Sequence, residues 1–216
     1  MVRKKKFRHR TELSSRKQSD FYFLIQEHKM KRFEDKIAVY KKLNALSRKG
    51  SAVCFGARFF SSMNIEELAL DYPVGVPVYN RSFEKLDITS AASVAESCLY
   101  ELQPSKIFIN IGENDVQSVH FDEKSFASKY EWLLLTIHRN CINSRLFIVS
   151  VVSDSPAAVQ LNSRLEALAK EVGCTYVDIN VPQNDGNIFL RAFNILKSYI
   201  RNFPPSFADA MGFQAV

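Results

Sequence analysis

Lys106 to Val116, reading K-I-F-I-N-I-G-E-N-D-V, confines this chain to few folds. Apolar and β-favouring residues run up to Gly112 without clean polar alternation. That pattern suits a strand at the centre of a sheet covered on both faces. Gly112 allows a sharp turn, and the polar tip Glu113-Asn114-Asp115 follows it. In open α/β sheets the crevice beyond the carboxyl ends of the strands is where ligands bind. Asn114 is therefore the first residue to examine for a functional role.

The 216 residues suffice for one α/β domain with a full core, and no second core is evident. Hydrophobic residues make up 46% and charged residues 24%, an ordinary globular mix. No apolar run approaches the ~18 residues of a membrane span. The basic N-terminus lacks an apolar stretch ahead of a small-residue cleavage site, which argues against secretion by that route. Cys54, Cys98, Cys141 and Cys174 lie apart, without C-x-x-C spacing. They read as core thiols in a reducing, cytoplasmic setting. The net charge of +6 is unevenly placed. Residues 1–19 hold eight Lys or Arg against one Glu, a net +7, leaving 21 basic against 22 acidic residues, a net −1. The basic balance belongs to the arm, which weakens the case for nucleic acid on a face of the domain, since such a face should show a basic stripe.

The arm, residues 1–19, has no apolar period and reads as a flexible segment able to touch nucleic acid or an anionic surface. Residues 20–48 predict a long amphipathic helix, with Met30, Phe33, Ile37, Tyr40 and Leu43 on one stripe and Gly50 just beyond. It either packs on the domain or pairs with a partner helix. Residues 51–216 then alternate strand and helix. Strands are expected at Ala52–Phe55, Val76–Tyr79, Lys106–Ile111, Arg145–Val152 and Thr175–Ile179. Helices are expected at Asn64–Leu70, Ser90–Leu102, Phe121–Asn140, Pro156–Val172 and Asn187–Phe203. Such alternation predicts a parallel, doubly wound sheet with all strand-end loops on one rim.

Three rim loops, Phe55-Gly56-Ala57-Arg58, Tyr79-Asn80-Arg81-Ser82 and Ile111-Gly112-Glu113-Asn114-Asp115, carry a resemblance in their order and spacing. The chain from Ala52 onward resembles the SGNH (GDSL) hydrolases, a family of esterases and acylhydrolases. Their rim reads G-D-S, N-R-G and G-x-N-D, with a D-x-x-H pair near the C-terminus. The resemblance implies a three-layer α/β/α sandwich, flavodoxin-like, around a five-stranded parallel sheet. It also implies serine attack on an acyl carbon, with histidine as base and aspartate orienting it. The oxyanion would take hydrogen bonds from backbone N–H groups and the asparagine side chain.

The chain departs from that pattern at the residues that react. Arg58 stands at the family's nucleophile position, and an arginine stays protonated. Ser82 replaces the loop glycine, while Asn114 is kept. Aligning Gly212-Phe213 with the family's terminal Gly-Tyr puts Phe207 at the histidine position and Pro204 at its aspartate. No histidine follows His138 anywhere in the chain. A relocated pair, Ser61 or Ser62 with His120, is the alternative nucleophile and base. His28 and His138 read as helix-surface residues and His9 as part of the arm. Glu113 and Asp115 flank Asn114 without metal-ligand companions, so no metal or other cofactor is expected.

Two further expectations concern the arginines. Arg58, Arg81, Ser82 and Asn114 would converge on one crevice able to hold a carboxylate, phosphate or sulfate. Alternatively, Arg58 or Arg81 pairs with Glu113 or Asp115 and braces the rim. The resemblance and its departures together imply an inactive hydrolase relative with a pocket for an ester-like, glycan or anionic ligand. An esterase with rearranged residues, and an interaction protein acting through the arm and first helix, stay open beside it.

Overall fold

The computed structural model describes residues 30–180 and 187–201. The arm at 1–19, the start of the expected first helix, and the C-terminal Pro204 and Phe207 lie outside those residues.

Five parallel strands form one sheet in the order β2-β1-β3-β4-β5. They are β1 (Ala52–Gly56), β2 (Val78–Asn80), β3 (Lys106–Asn110), β4 (Arg145–Val149) and β5 (Thr175–Val177). Register runs from Ala52↔Lys106 to Gly56↔Asn110 between the two central strands, and β3 is buried along its whole length. Alternate residues feed two cores. Val53, Phe55, Ile107, Ile109 and Ile148 face one side of the sheet, and Cys54, Phe108, Phe147 and Val149 face the other. Both sides are therefore apolar, which is why the strand sequences lack polar alternation.

The first core is closed by α1 (Glu34–Asn44), α4 (Ile88–Cys98), α6 (Glu123–Asn140) and α7 (Pro156–Val172). The second is closed by α2 (Arg58–Ser62), α3 (Ile65–Asp71) and α8 (Ile188–Ile200), while α5 (Glu113–Val116) is a single turn on the rim. This is the expected three-layer α/β/α sandwich. Local sequence explains several boundaries. Asp87, Asp122, Ser155 and Asn187 each accept a backbone N–H at a helix start. Gly173 ends α7 with φ 73°, the left-handed value a C′ glycine supplies.

The structure corrects several expected bounds: β2 is Val78–Asn80, β4 and β5 end at Val149 and Val177, α4 ends at Cys98 and α6 begins at Glu123. Arg32 and Phe33 form a turn ahead of α1, so helix does not run unbroken to Ser47. Along α1, Phe33, Ile37 and Tyr40 are buried as expected, but Leu43 is exposed and Asn44 takes the inward position. Helix α4 starts at Ile88, two residues before the expected Ser90, because Asp87 caps it. Two short helices, α2 and α5, stand where loops were expected.

One buried charge ties the sheet to its last helix. Lys106 at the start of β3 is 5% exposed, and its Nζ donates to the carbonyls of Tyr199, Ile200 and Arg201 at 2.8, 2.8 and 2.9 Å. All three ammonium protons are used, on the carbonyls where the helix dipole is negative. Burial and the neighbouring Arg145 hold this amine below its usual range. Lys106→Met is expected to destabilise the fold by about 3 kcal/mol, since it leaves buried carbonyls without donors. Denaturant unfolding will measure the loss, and hydrogen exchange will show it concentrated at the end of α8.

Candidate functional site

The rim begins with a close contact. A Cβ on Gly56 would lie 2.3 Å from the Asn110 carbonyl oxygen, so β1 approaches β3 there only because residue 56 is glycine. The Ala57 N–H then bonds that carbonyl at 2.8 Å. Arg58 follows as the first residue of α2. Its side chain is 49% exposed, and its Nε lies 3.7 Å from Glu113 Oε1. The Phe59 N–H is close enough to the Glu113 carboxylate to favour its charged form. An internal carboxylate therefore sits against the first turn of α2. Burial raises Glu113 above the ordinary carboxylate range, and Arg58 and Phe59 oppose that rise.

The second rim loop turns toward α1. Asn80 Nδ2 donates to the carbonyls of Phe60 and Met63 at 2.6 and 3.1 Å. Asn80 Oδ1 accepts the Ser82 N–H at 3.0 Å, so that backbone donor is already occupied. Ser82 is fully buried, with its hydroxyl on the Cys54 carbonyl at 3.3 Å. Arg81 does not join Arg58 and Asn114, contrary to expectation. It is 3% exposed and points to α1, donating to Asn44 Oδ1 at 2.8 Å, to the Asn80 carbonyl at 2.9 Å and to Ser47 Oγ at 3.3 Å. The rings of Tyr40 and Tyr79 lie 5.0 and 5.3 Å from its guanidinium carbon. Neither Glu113 nor Asp115 is among those partners. The bracing pair expected at the rim is Arg58 with Glu113.

At the third loop Gly112 adopts φ 137°, and a Cβ there would meet Leu161 Cδ2 at 2.7 Å. Glycine is required on both counts. Asn114 then directs Nδ2 back into the protein, donating to the carbonyls of Glu84 and Leu86 at 2.9 Å each. Its two amide protons are thereby spent on bracing the second loop. Asp115 accepts the Ile88 N–H at 3.1 and 3.3 Å, which pins α4 to the same rim.

An open cleft of about 220 Å³ lies beyond Asn114 and Asp115, lined by Asp87, Thr89, Ser118, His120, Phe121 and Lys129 among others. His120 belongs to that cleft. Ser61, the relocated nucleophile considered with it, instead receives a hydrogen bond from Lys36 Nζ at 3.3 Å. Burial lowers the Lys36 amine from its usual range, against the nearby carboxylates of Glu84 and Glu66. Among the described residues, no group of three or more His, Cys, Asp or Glu is arranged to hold a metal. As polar residues, Asn44 and Lys36 carry no apolar signal that would place them at the rim. The 3-4 spacing of Ile37, Tyr40 and Asn44 would have found Asn44.

No family model and no curated protein matches this chain by sequence. Solved structures do. A protein of Bacteroides fragilis described as an acylhydrolase matches with TM-score 0.62 at 15% identity, over 74% of this chain and 93% of that one. A Streptococcus pneumonia structure described by the name platelet activating factor gives TM-score 0.67 at 15% identity, over 79% and 94%. A GDSL-like lipase of Bacteroides thetaiotaomicron gives TM-score 0.60 at 16% identity, over 75% and 93%. The chain therefore has the SGNH/GDSL-hydrolase fold.

The Glu113 carboxylate supplies a test of the rim. Its folded pKa lies above the ordinary 4.5, so folding binds protons there. Stability from this group is full below about 4.5 and falls as pH rises through the raised folded value. Glu113→Gln removes that slope. Relative to the variant, the natural protein is expected to lose melting temperature between pH 4 and pH 7.5; parallel curves would show that Glu113 is not desolvated.

Proposed function

We propose that this protein is a non-catalytic relative of the SGNH hydrolases that binds a small polar ligand at its rim. One observation carries the proposal: two of the donors an oxyanion would need, the Asn114 amide and the Ser82 N–H, are spent inside the protein. The Asn114 amide is on Glu84 and Leu86 and the Ser82 N–H is on Asn80, while the Arg58 side chain forms an ion pair with Glu113. Oxyanion stabilisation depends on donors preorganised and free for charge that develops in the transition state. Donors already satisfied by carbonyls offer little differential stabilisation. Arg58 in place of a nucleophile, and the lack of any histidine after His138, point the same way.

The ligand's place in this proposal is the cleft beside Asn114 and Asp115. Its carboxylates, hydroxyls and the Phe121 ring suit a neutral, hydroxyl-rich molecule of the glycan class better than an anion. Asp87, Asp115 and Asp122 would repel phosphate or sulfate there. An ester-like ligand fits only insofar as it carries such hydroxyls. The proposal also places the protein in the cytoplasm, supported by four free cysteines, three of them buried. Among the described residues no helix is long and apolar enough to cross a membrane.

Sustained turnover of short p-nitrophenyl esters tests the proposal. Hydrolysis beyond one equivalent is expected to stay at the buffer rate. It should stay there in Arg58→Ser as well, because a serine at that position gains no histidine base. Turnover in either protein would overturn the non-catalytic assignment. In melting experiments, neutral oligosaccharides near 100-fold above Kd should raise Tm by about 5 °C or more, whereas phosphate and sulfate should not.

A further inference from the structure

The Lys36–Ser61 contact has no place in the binding role. It joins α1 to α2 across 25 residues of sequence and lies one helical turn beyond the family's nucleophile position. We propose that Ser61 is a nucleophile toward activated acyl and phosphonyl groups, with Lys36 Nζ as the base that receives its proton.

Three observations support the assignment. The Lys36 ammonium makes its hydrogen bond to a hydroxyl, although Glu66 on α3 and Glu84 in the second loop are close enough to be felt electrostatically. A lysine serving only to anchor α1 would gain more from a charge-assisted bond to either carboxylate. Second, the amine rests over two rings, 5.5 Å from the centroids of Tyr40 and Phe83, and partial burial there lowers its pKa. The ring faces by themselves favour the ammonium, so the lowering comes from burial, which is what makes a lysine available as a general base. Third, Ser61 is only partly buried, so an electrophile can reach it, while the exposed Ser62 beside it provides an internal control. The Arg58–Glu113 pair lies at the start of the same short helix, and with Glu66 and Glu84 completes the charged surroundings of this contact.

The step balances with these two residues. With Lys36 neutral, Ser61 Oγ attacks the acyl carbon as its proton passes to Nζ. The bond from the acyl carbon to the leaving oxygen breaks, and the leaving alkoxide takes the proton back from Lys36. With a fluorophosphonate, the P–F bond breaks instead, fluoride leaves, and Lys36 releases the proton to solvent. One transfer to Ser61 is required, not turnover, so the inference goes beyond the binding role without depending on it.

The experiment treats the full chain with a fluorophosphonate probe and maps the adduct by peptide mass spectrometry, which needs no variant. The expected result is one adduct, on Ser61. Ser61→Ala should abolish it and Ser62→Ala should leave it. Lys36→Arg keeps the cation and a hydrogen-bond donor but cannot accept a proton, so labelling should slow by about 100-fold. In the natural protein the labelling rate should rise to a plateau with a midpoint below 10.5, the ordinary lysine value, and Lys36→Arg should lack that step. A purely structural contact would not produce that profile. No adduct at Ser61, or equal rates in Lys36→Arg and the natural protein, would overturn the inference and leave the binding role standing. Ester turnover lost in Ser61→Ala would support Ser61 as nucleophile while overturning the non-catalytic assignment.

Discussion

The close approach of Gly56 to the Asn110 carbonyl holds the rim in place. From it a line of buried contacts crosses the strand ends. Asn110 Nδ2 donates to the Ser150 carbonyl at 2.7 Å, and Ser150 Oγ accepts the Ile179 N–H at 2.8 Å. Asn162 of α7 closes both the N–H and the carbonyl of Val151 at 2.8 Å. Each group is buried, so each unmade bond would cost the full desolvation of a polar group. The order β1, β3, β4, β5 is thereby fixed at the end where the loops leave the sheet. None of these contacts involves a reacting group of the hydrolase family. The fold therefore does not depend on which residues the three rim loops carry beyond Gly56 and Gly112.

The second loop shows what a buried charge at the rim costs and what offsets it. Burying the Arg81 guanidinium is expensive, because a charge leaves water. Its partners are neutral oxygens and two tyrosine rings, which together satisfy a planar cation without neutralising it. Tyr40 contributes twice, through its ring and through a hydroxyl donated to the Ser82 carbonyl at 3.0 Å. Asn44 also spans two elements, donating to the Cys98 carbonyl at 2.8 Å while accepting from Arg81. Helix α1 is therefore part of the domain rather than an appendage. Edge-to-face contacts of Phe33 and Tyr40 with Phe83, each with centroids 5.3 Å apart, add the apolar part of the same interface.

This division explains what the amino-acid sequence disclosed. The central strands were legible because two-sided burial writes an uninterrupted apolar run, as in Lys106–Ile111. The rim glycines were legible because Gly56 and Gly112 answer to steric limits of one or two atoms. Long-range polar partners were not. Nothing in N-R-S says whether the arginine faces the crevice or a helix more than thirty residues earlier, and the choice rests on Asn44, Ser47 and Tyr40 arriving together. Asn114 was legible as a rim residue but not in its direction, since its amide geometry depends on where the carbonyls of Glu84 and Leu86 come to rest. Lys36 looked like the solvated face of an amphipathic helix. Only the packing of α1 on Phe83 brings its amine to Ser61.

The first loop carries a further constraint that links two substitutions. Arg58 opens α2, where unpaired backbone N–H groups give the helix start a partial positive charge, so a second cation there is unfavourable by itself. Glu113, two residues after the strand-capping Ile111, meets both the guanidinium and the Phe59 N–H and offsets that charge. The carboxylate is partly desolvated in doing so, and its raised pKa records that the compensation is incomplete. A hydrolase needs the opposite arrangement, with positive potential left unmatched until the transition state brings negative charge. Here the negative charge is covalently part of the chain and present at all times. Exchanging Arg58 alone would leave the half-buried Glu113 beside fewer partners, and exchanging Glu113 alone would leave a cation against a helix start. The two positions are coupled, and a change at either one is balanced only by a change at the other.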